Sequence, residues 1–480
     1  MIGLLTRFRI EGLHNIYTFD IPIVENKLVL VGENGTGKST VANFIYFFLT
    51  RQWSRMLDYQ FRSVLAVIDG KEFQVSRDEI DDYTTIDSRL TRRLSPRMVR
   101  EIERMLTEQS LENVPESRKE AIEYLRSTGL PSIAVDYFLH LSDEDSAFTK
   151  FKDIEKQLIE ITNAQTLYLP TYRRIEQELS AILPKHFLTE LERRHEYERI
   201  QYQIARSIES NYEELVQFGM DDVEQIILHK MNQIKDKVRT DLNKLTGVHL
   251  RDVIQRAYQK VDPRKIISLD EATIRDIFSR TQEILFERDQ KELQEIIEKI
   301  KTSKDVDNED KVVAHFLIQL IELYEKQQED ERDVREFIEV CNAYFSEEKR
   351  FIYDNQNFEM YIRQQLKEDN SRKIEMKMLS SGEKQVVSLF SHIYLSGQKD
   401  YFVIIDEPEL SISVLWQKRL LPDILKKCNG LIAVTHSPFI FDNELKRYAH
   451  SLEEFTEIFE YDFASEDEYL GLLDGDEIPL

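Results

Sequence analysis

Gly32-Glu-Asn-Gly-Thr-Gly-Lys-Ser39 follows the short apolar run Lys27-Leu-Val-Leu-Val31 and precedes Val41-Ala-Asn-Phe-Ile-Tyr-Phe-Phe-Leu49. The octet fits GxxxxGK[ST] set between a strand and a helix, the context that turns the pattern into a P-loop. Glycines at 32, 35 and 37 let the backbone turn its N–H groups inward around phosphate oxygens. The helix starting near Ser39 adds the positive end of its dipole. Lys38 is placed to reach β- and γ-phosphates, and the Ser39 hydroxyl to ligate Mg²⁺. Glu33, Asn34, Thr36 and Thr40 complete the cradle. The run Val41–Leu49 is apolar nearly all round and reads as a buried helix. Lys27–Val31 reads as a strand of a sheet covered on both faces. The plain alternative is a glycine-rich turn ahead of a helix.

The glycines stand out because the chain avoids them elsewhere. Only 14 occur in 480 residues, about half of what average usage gives, which points to a largely helical protein. The length suggests two to four structural units. At 41% hydrophobic and 32% charged the composition is globular. No apolar run is long enough for a membrane span, and Met1-Ile-Gly-Leu-Leu-Thr-Arg-Phe-Arg9 lacks the order of a signal peptide. Two cysteines, Cys341 and Cys428, are too few for a disulfide framework or a zinc site and read as buried apolar fillers. A cytoplasmic location follows as the expectation. The net charge of −25 argues against non-specific coating of nucleic acid. Residues 453–480 hold 11 acidic and no basic residues, leaving −14 on the remainder.

Along the chain, Met1–Glu11 and Ile16–Ile23 read as strands, and residues 61–76 as a hairpin about Asp69-Gly70. Thr166–Pro170, Phe351–Ile362 (turning near Asp354-Asn355), Ile374–Met378, Tyr401–Ile405 and Leu431–Val434 are further extended runs. From about 175 to 350 the pattern is helical, with Leu293, Ile296, Ile297 and Ile300, and Val334, Phe337, Ile338 and Cys341, at helical spacing. Ser268-Leu-Asp-Glu271 fits a capping box. Gly219, Gly247 and Pro263 are expected to break the region into several helices.

Tyr401-Phe-Val-Ile-Ile-Asp-Glu407 is an apolar strand ending in two acids, and strand ends of an α/β sheet open on the ligand crevice. Asp406 is placed to hold the Mg²⁺ shell, and Glu407 to orient the attacking water. Leu379-Ser-Ser-Gly-Glu-Lys-Gln385 resembles the signature motif of ATP-binding-cassette (ABC) ATPases in its RecF and SMC-like form. The family order of P-loop, signature, strand-Asp-Glu and switch histidine is reproduced, the last in Thr435-His436-Ser437-Pro438. The resemblance implies an α/β fold: an ABC-type head, with a mixed sheet and an antiparallel β subdomain, split by a long, mainly helical insertion. It implies ATP and Mg²⁺ as ligands and hydrolysis to ADP and phosphate. It also implies heads paired around two ATP, with Ser380, Ser381, Gly382 and Glu383 of one head completing the other's site and His436 sensing the γ-phosphate. The implied division is 1–175 and 351–450 for the two parts of the head, 176–350 for the insertion and 451–480 for an acidic tail.

Lys38 and Ser380 lie 342 residues apart, far more than a transporter cassette needs, and Asp406-Glu-Pro-Glu409 resembles the non-transporter ATPases. The insertion is shorter than an SMC coiled coil and has no CxxC hook. Overcoming-lysogenisation (OLD) nucleases share the head, but the 44 residues after His436 are expected to be too few for their Toprim nuclease. Tyr168-Leu-Pro-Thr-Tyr-Arg-Arg-Ile-Glu176 and Phe218-Gly-Met-Asp-Asp-Val-Glu224 resemble segments of the ATPase subunits of PARIS anti-phage systems. That likeness implies a homo-oligomer, a homohexamer of paired heads, that holds a separate Toprim-like nuclease effector until a phage-encoded trigger arrives, with no membrane partner. Competing readings are a DNA-repair ATPase clamping duplex DNA, a Septu-like partner of an HNH nuclease, and a nucleotide-gated scaffold. Two positions depart from the family. No glutamine follows Thr166–Pro170 before Gln177, and Ser413 stands where many relatives have histidine. Six arginines between Arg89 and Arg104 read as a solvated helix face or a phosphate contact. The aromatic acidic tail reads as a docking segment or a solubilising one.

Overall fold

The computed structural model describes residues 3–91, 147–162, 165–169, 212–214, 220–281, 285–365, 371–397 and 400–458. Several sequence readings lie outside the described residues: most of the arginine cluster, the stretch from 170 to 177 and the tail beyond Ile458. Two compact units divide the chain. One is Met1–Gln217 with Asp400–Leu410 and Gln417–Leu480; the other is Phe218–Lys399 with Ser411–Trp416.

In chain order the elements begin with β1 (Leu5–Leu13), β2 (Tyr17–Pro22), β3 (Lys27–Val31), α1 (Lys38–Thr50), β4 (Ser63–Ile68), β5 (Lys71–Ser76), α2 (Arg77–Thr91), α3 (Ala147–Ile161), β6 (Gln165–Leu169) and β7 (Tyr212–Glu214). There follow α4 (Met220–Ile254), α5 (Glu271–Arg280), α6 (Glu287–Ser303), α7 (Lys311–Asp330), α8 (Arg332–Asn342), β8 (Lys349–Asp354), β9 (Glu359–Gln365), β10 (Ser371–Ile374) and α9 (Ser381–Leu395). The chain then runs through β11 (Tyr401–Asp406), α10 (Val414–Leu425), β12 (Cys428–Thr435), β13 (Ala449–Ser451) and β14 (Thr456–Ile458).

The class is α/β, with parallel and antiparallel sheets side by side in the first unit. Its central sheet has the order β13-β3-β12-β11-β6-β7, and every neighbouring pair is parallel. Strands buried on both faces need unbroken apolar runs, and β11 is buried at every residue. The second sheet, β14-β2-β1-β4-β5, is antiparallel. Its β4–β5 hairpin closes at Asp69 (φ 52°) and Gly70 (φ 75°), two left-handed residues that suit a tight hairpin turn. Helix α1 belongs to a core that reaches both sheets, which is why Val41, Ala42 and Phe44–Leu49 are all buried. Phe48 meets Phe8 of β1 edge-on at 5.7 Å, and Tyr46 stacks on Tyr168 of β6 at 4.4 Å.

The second unit is built on α4, whose Val223, Ile227, Met231, Ile234, Val238 and Leu242 form one buried stripe. Three sequence expectations change here. Gly247 does not break a helix; it lies inside α4, a single helix of 35 residues. One glycine costs about 1 kcal/mol in a helix interior, less than burial of the stripe returns. The cap expected at Ser268 belongs to Asp270, which accepts from the Thr273 N–H at 2.6 Å. Ser268 instead closes the preceding turn by donating to the Lys265 carbonyl. Ile374–Met378 is extended only to Ile374; Met376–Met378 form a 3₁₀ turn. Inside the unit, Arg280 pairs with fully buried Glu331 at 2.8 Å and also bonds Gln327. Cys341 and Cys428 are both buried.

The open space around the Cβ position of Gly247 makes a direct stability prediction. Gly247→Ala should stabilise the protein by about 0.5–1 kcal/mol, read as a higher urea midpoint at unchanged slope. A lower midpoint would show that this stretch is not helical in solution.

Candidate functional site

Strand register decides what meets what. Parallel pairing sets Val31 of β3 against Thr435 of β12, and Asp406 of β11 against Val434. Gly32, His436 and Glu407, each the next residue along its strand, are thereby brought to one end of the sheet. Among the described residues the row thus draws on three chain segments and the start of α1.

The loop from Gly32 to Gly37 depends on left-handed backbone at its glycines and on two side chains that bond its carbonyls. Gly35 and Gly37 take φ values of 84° and 95°, a region other residues enter only under strain. Gly37 directly precedes α1, no side chain caps that helix, and no acidic residue lies in its first turn. Its leading N–H groups and positive dipole end are thus available to an anion. Thr36 ties the loop by donating to the Glu33 carbonyl at 3.0 Å. Lys38 is 4% exposed and donates to the carbonyls of Gly32 (3.0 Å) and Glu33 (2.6 Å). Burial lowers its pKa, while Asp406, Glu407 and Glu409 pull it back up. The ammonium therefore lies within electrostatic reach of three carboxylates on one loop.

Asp406 ends β11 and is 2% exposed. Glu407 follows with φ 49°, a left-handed conformation for a non-glycine residue, which costs on the order of 1–3 kcal/mol and tends to occur at functional sites. Its N–H donates to the Val434 carbonyl at 2.8 Å, extending the β11–β12 ladder by one bond. The His436 Nε2 lies 4.0 Å from the Glu407 Oε1, with both side chains part exposed. The residues present fit a nucleotide triphosphate with its divalent cation: a glycine cradle, a buried ammonium and a helix start face two adjacent acids.

Ser380–Glu383 lie in the second unit, on the first turn of α9. Ser380 is the cap: its Oγ accepts from the Glu383 N–H (3.4 Å), and Glu383 Oε2 accepts from the Ser380 N–H (2.7 Å). Burial pushes the Glu383 carboxyl up, but the Ser380 N–H and the Lys349 ammonium at 3.0 Å outweigh it, so the net shift is downward. Ser380 and Ser381 are exposed, whereas Gly382 is buried. A Cβ on Gly382 would stand 2.5 Å from the Ser411 carbonyl oxygen and 3.2 Å from the Trp416 ring. The glycine thus admits the backbone of 411–416 across the start of α9. Ser413 accepts from the Trp416 N–H at 2.9 Å, helping to start α10.

Two features went unread in the sequence. Tyr168, at the end of β6, hydrogen-bonds Asn43 of α1, which in turn donates to the Tyr59 hydroxyl at 3.3 Å. Glu409, quoted above only as part of a pattern, accepts from Thr435, His436 and Ser437. The available signal was a second acid two residues after Glu407, across a proline.

A family profile described as the AAA ATPase domain matches residues 4–441. The chain belongs to that family and is an ATPase. No curated protein matches it. Among solved structures it is similar to the Smc head domain with an extended coiled coil, bound to the C-terminal domain of ScpA, from Pyrococcus furiosus: 13% identity over 98% of this chain and 99% of that one, TM-score 0.32. A second is the Smc head domain with a coiled coil and joint from Pyrococcus yayanosii, with 13% identity, 98% and 99% coverage and TM-score 0.27. A third, the SmcHead bound to the C-winged helix domain of ScpA, shows 11% identity, 91% and 90% coverage and TM-score 0.28. No helix among the described residues is long and apolar enough to cross a membrane.

The contact at Gly382 is with backbone, which cannot swing aside. Gly382→Ala should lower the thermal midpoint of the protein and reduce ATP turnover, while Ser381→Ala, on the exposed side, leaves the midpoint unchanged. An unshifted midpoint in Gly382→Ala would mean that the 411–416 crossing is not maintained in solution.

Proposed function

We propose that the chain binds and hydrolyses ATP at the row formed by the P-loop, Asp406, Glu407 and His436, as an ABC-type ATPase of the OLD-like, RecF and SMC-like branch. The observation that carries this is the register that aligns the ends of β3, β12 and β11. Gly32–Ser39 and the start of α1 cradle the phosphates, and Lys38 leaves its carbonyl partners to meet the β- and γ-oxygens. Ser39 and Asp406 would hold Mg²⁺, which supplies charge neutralisation at the phosphates when bound. Glu407 orients the water and accepts its proton, and His436 contacts the γ-phosphate.

Ser380 and Ser381 are exposed at a capped helix start, which supports their use by a second copy's nucleotide, hence paired heads in a homo-oligomer of homohexamer type. With Asp406-Glu-Pro-Glu409 and the PARIS-like segments, this supports a cytoplasmic sensor or scaffold in anti-phage defence. In that role ATP state and a phage-encoded trigger control the hold on a Toprim-like nuclease.

Three measurements test the reading. Lys38→Ala should abolish nucleotide binding by fluorescence titration. Glu407→Gln should bind ATP with wild-type affinity and lose phosphate release by about 100-fold or more; turnover at the wild-type rate would remove Glu407 from the chemistry. Co-assembled Lys38→Ala and Ser380→Arg chains should recover part of the activity that each lacks alone, because one composite site in such a pair is intact. No recovery in mixed oligomers would overturn the shared site. For the cellular role, the protein expressed with a Toprim-like nuclease should form an ATP-sensitive complex. Tight duplex DNA binding at physiological salt with no such complex would favour the repair class instead.

A further inference from the structure

We propose that Glu409 is a positioning residue: it holds the backbone of 435–437 so that the His436 imidazole stands against the Glu407 carboxylate. This rests on the assignment of Glu407 and His436 as the hydrolytic pair and adds the group that fixes their relation.

The β11–β12 ladder ends at the bond from the Glu407 N–H to the Val434 carbonyl. Beyond it the next residue on the β11 side is Pro408, which has no N–H to offer. The Glu409 side chain takes over. Its Oε1 accepts from the His436 N–H at 2.7 Å and the Ser437 N–H at 3.2 Å, and its Oε2 accepts from the Thr435 Oγ1 at 2.8 Å. Three donors on three successive residues converge on one carboxylate, and hydrogen bonds to an ionised acceptor are the stronger kind. Ser437 is held from its other side as well, its Oγ donating to Gln417 at 2.6 Å.

The bonds go to backbone on both sides of the His436 Cα, so they set the direction of its Cβ and hence of the ring. Glu407 is aimed from the same short loop by its left-handed backbone. The 4.0 Å separation of His436 Nε2 and Glu407 Oε1 is thus governed from residues 406–410 on both sides. The Glu409 charge also reaches Lys38. A purely electrostatic role and a positioning role therefore make different demands: the first needs the charge, the second needs two acceptor oxygens at the right reach. Glutamine keeps an acceptor for the two N–H groups, and its amide can donate to the Thr435 hydroxyl. Aspartate keeps the charge but withdraws it by one methylene.

The test is steady-state ATP hydrolysis with ATP affinity measured separately, on the full chain. Glu409→Ala should lower kcat roughly tenfold or more, since a misplacement of ~1 Å can cost about a hundredfold, while ATP affinity holds. Glu409→Gln should retain most of the activity and Glu409→Asp should lose it. In a His436→Ala background, adding Glu409→Ala should change kcat by less than about twofold, because the two substitutions remove one interaction. An equal fall in both backgrounds overturns the proposal. So does a Glu409→Gln protein as inactive as Glu409→Ala, or a loss of ATP affinity that accounts for the whole effect. Should Glu409→Ala not fold, the Gln and Asp pair decides, expected active and impaired respectively. A His436→Ala protein with wild-type kcat would instead show that the assignment of His436 is at fault, separately from any effect at Glu409.

Discussion

The site depends on the register of three parallel strands. Val31 beside Thr435 and Val434 beside Asp406 bring a glycine-rich loop, a histidine and a pair of acids into one row. A slip of one residue in a strand turns its side chains to the opposite face; here it would also move Glu407 or His436 along the row by more than 3 Å. Close packing holds the register. Phe402, Ile404, Ile432 and Val434 lie in the same core as α1, and a slip would set side chains of different size and shape into each of those positions.

Charge is the second constraint. A buried ammonium close to Asp406, Glu407 and Glu409 offsets repulsion among acids that would otherwise share one loop. Each of those acids is engaged differently: Asp406 lies at the buried strand end, Glu407 is turned by its own backbone, and Glu409 is bound to the opposite loop. The lysine's present partners are carbonyls of the loop it belongs to. Those are neutral acceptors, weaker than phosphate oxygens, so the side chain can exchange them for an anionic ligand without breaking an ion pair.

Most of the described part of the first unit was legible in the sequence because local chemistry and global fold agree there. The glycines, the apolar strands and Asp69-Gly70 each allow few conformations. The second unit was less legible. Gly247 suggests a break, but a buried stripe from Val223 to Leu242 carries the helix through it. Ser268 looks like a cap, yet a carbonyl in the preceding turn claims its hydroxyl. The role of Glu409 was hidden for a different reason. Its partners are 26 to 28 residues away on another strand, and no spacing rule within one element reveals a bond across two. The burial of Gly382 beneath Ser411 is likewise a tertiary fact, invisible in Leu379-Ser-Ser-Gly-Glu-Lys-Gln385.

The central sheet also constrains how the protein is made. Lys27 pairs with Leu431, 404 residues later, whereas the β1–β2 and β4–β5 hairpins pair within a few tens of residues. During translation at about 5–20 residues per second, β3 and α1 emerge tens of seconds before β11 and β12 exist. For that interval the side of α1 that will face β11 and β12 has no sheet to cover it. Contacts of such high sequence separation form slowly and leave apolar surface open to aggregation. Strands β1, β2, β4 and β5 of the antiparallel sheet, already released by then, give α1 one covered side in the meantime and act as an early scaffold on the ribosome; only β14 joins that sheet late.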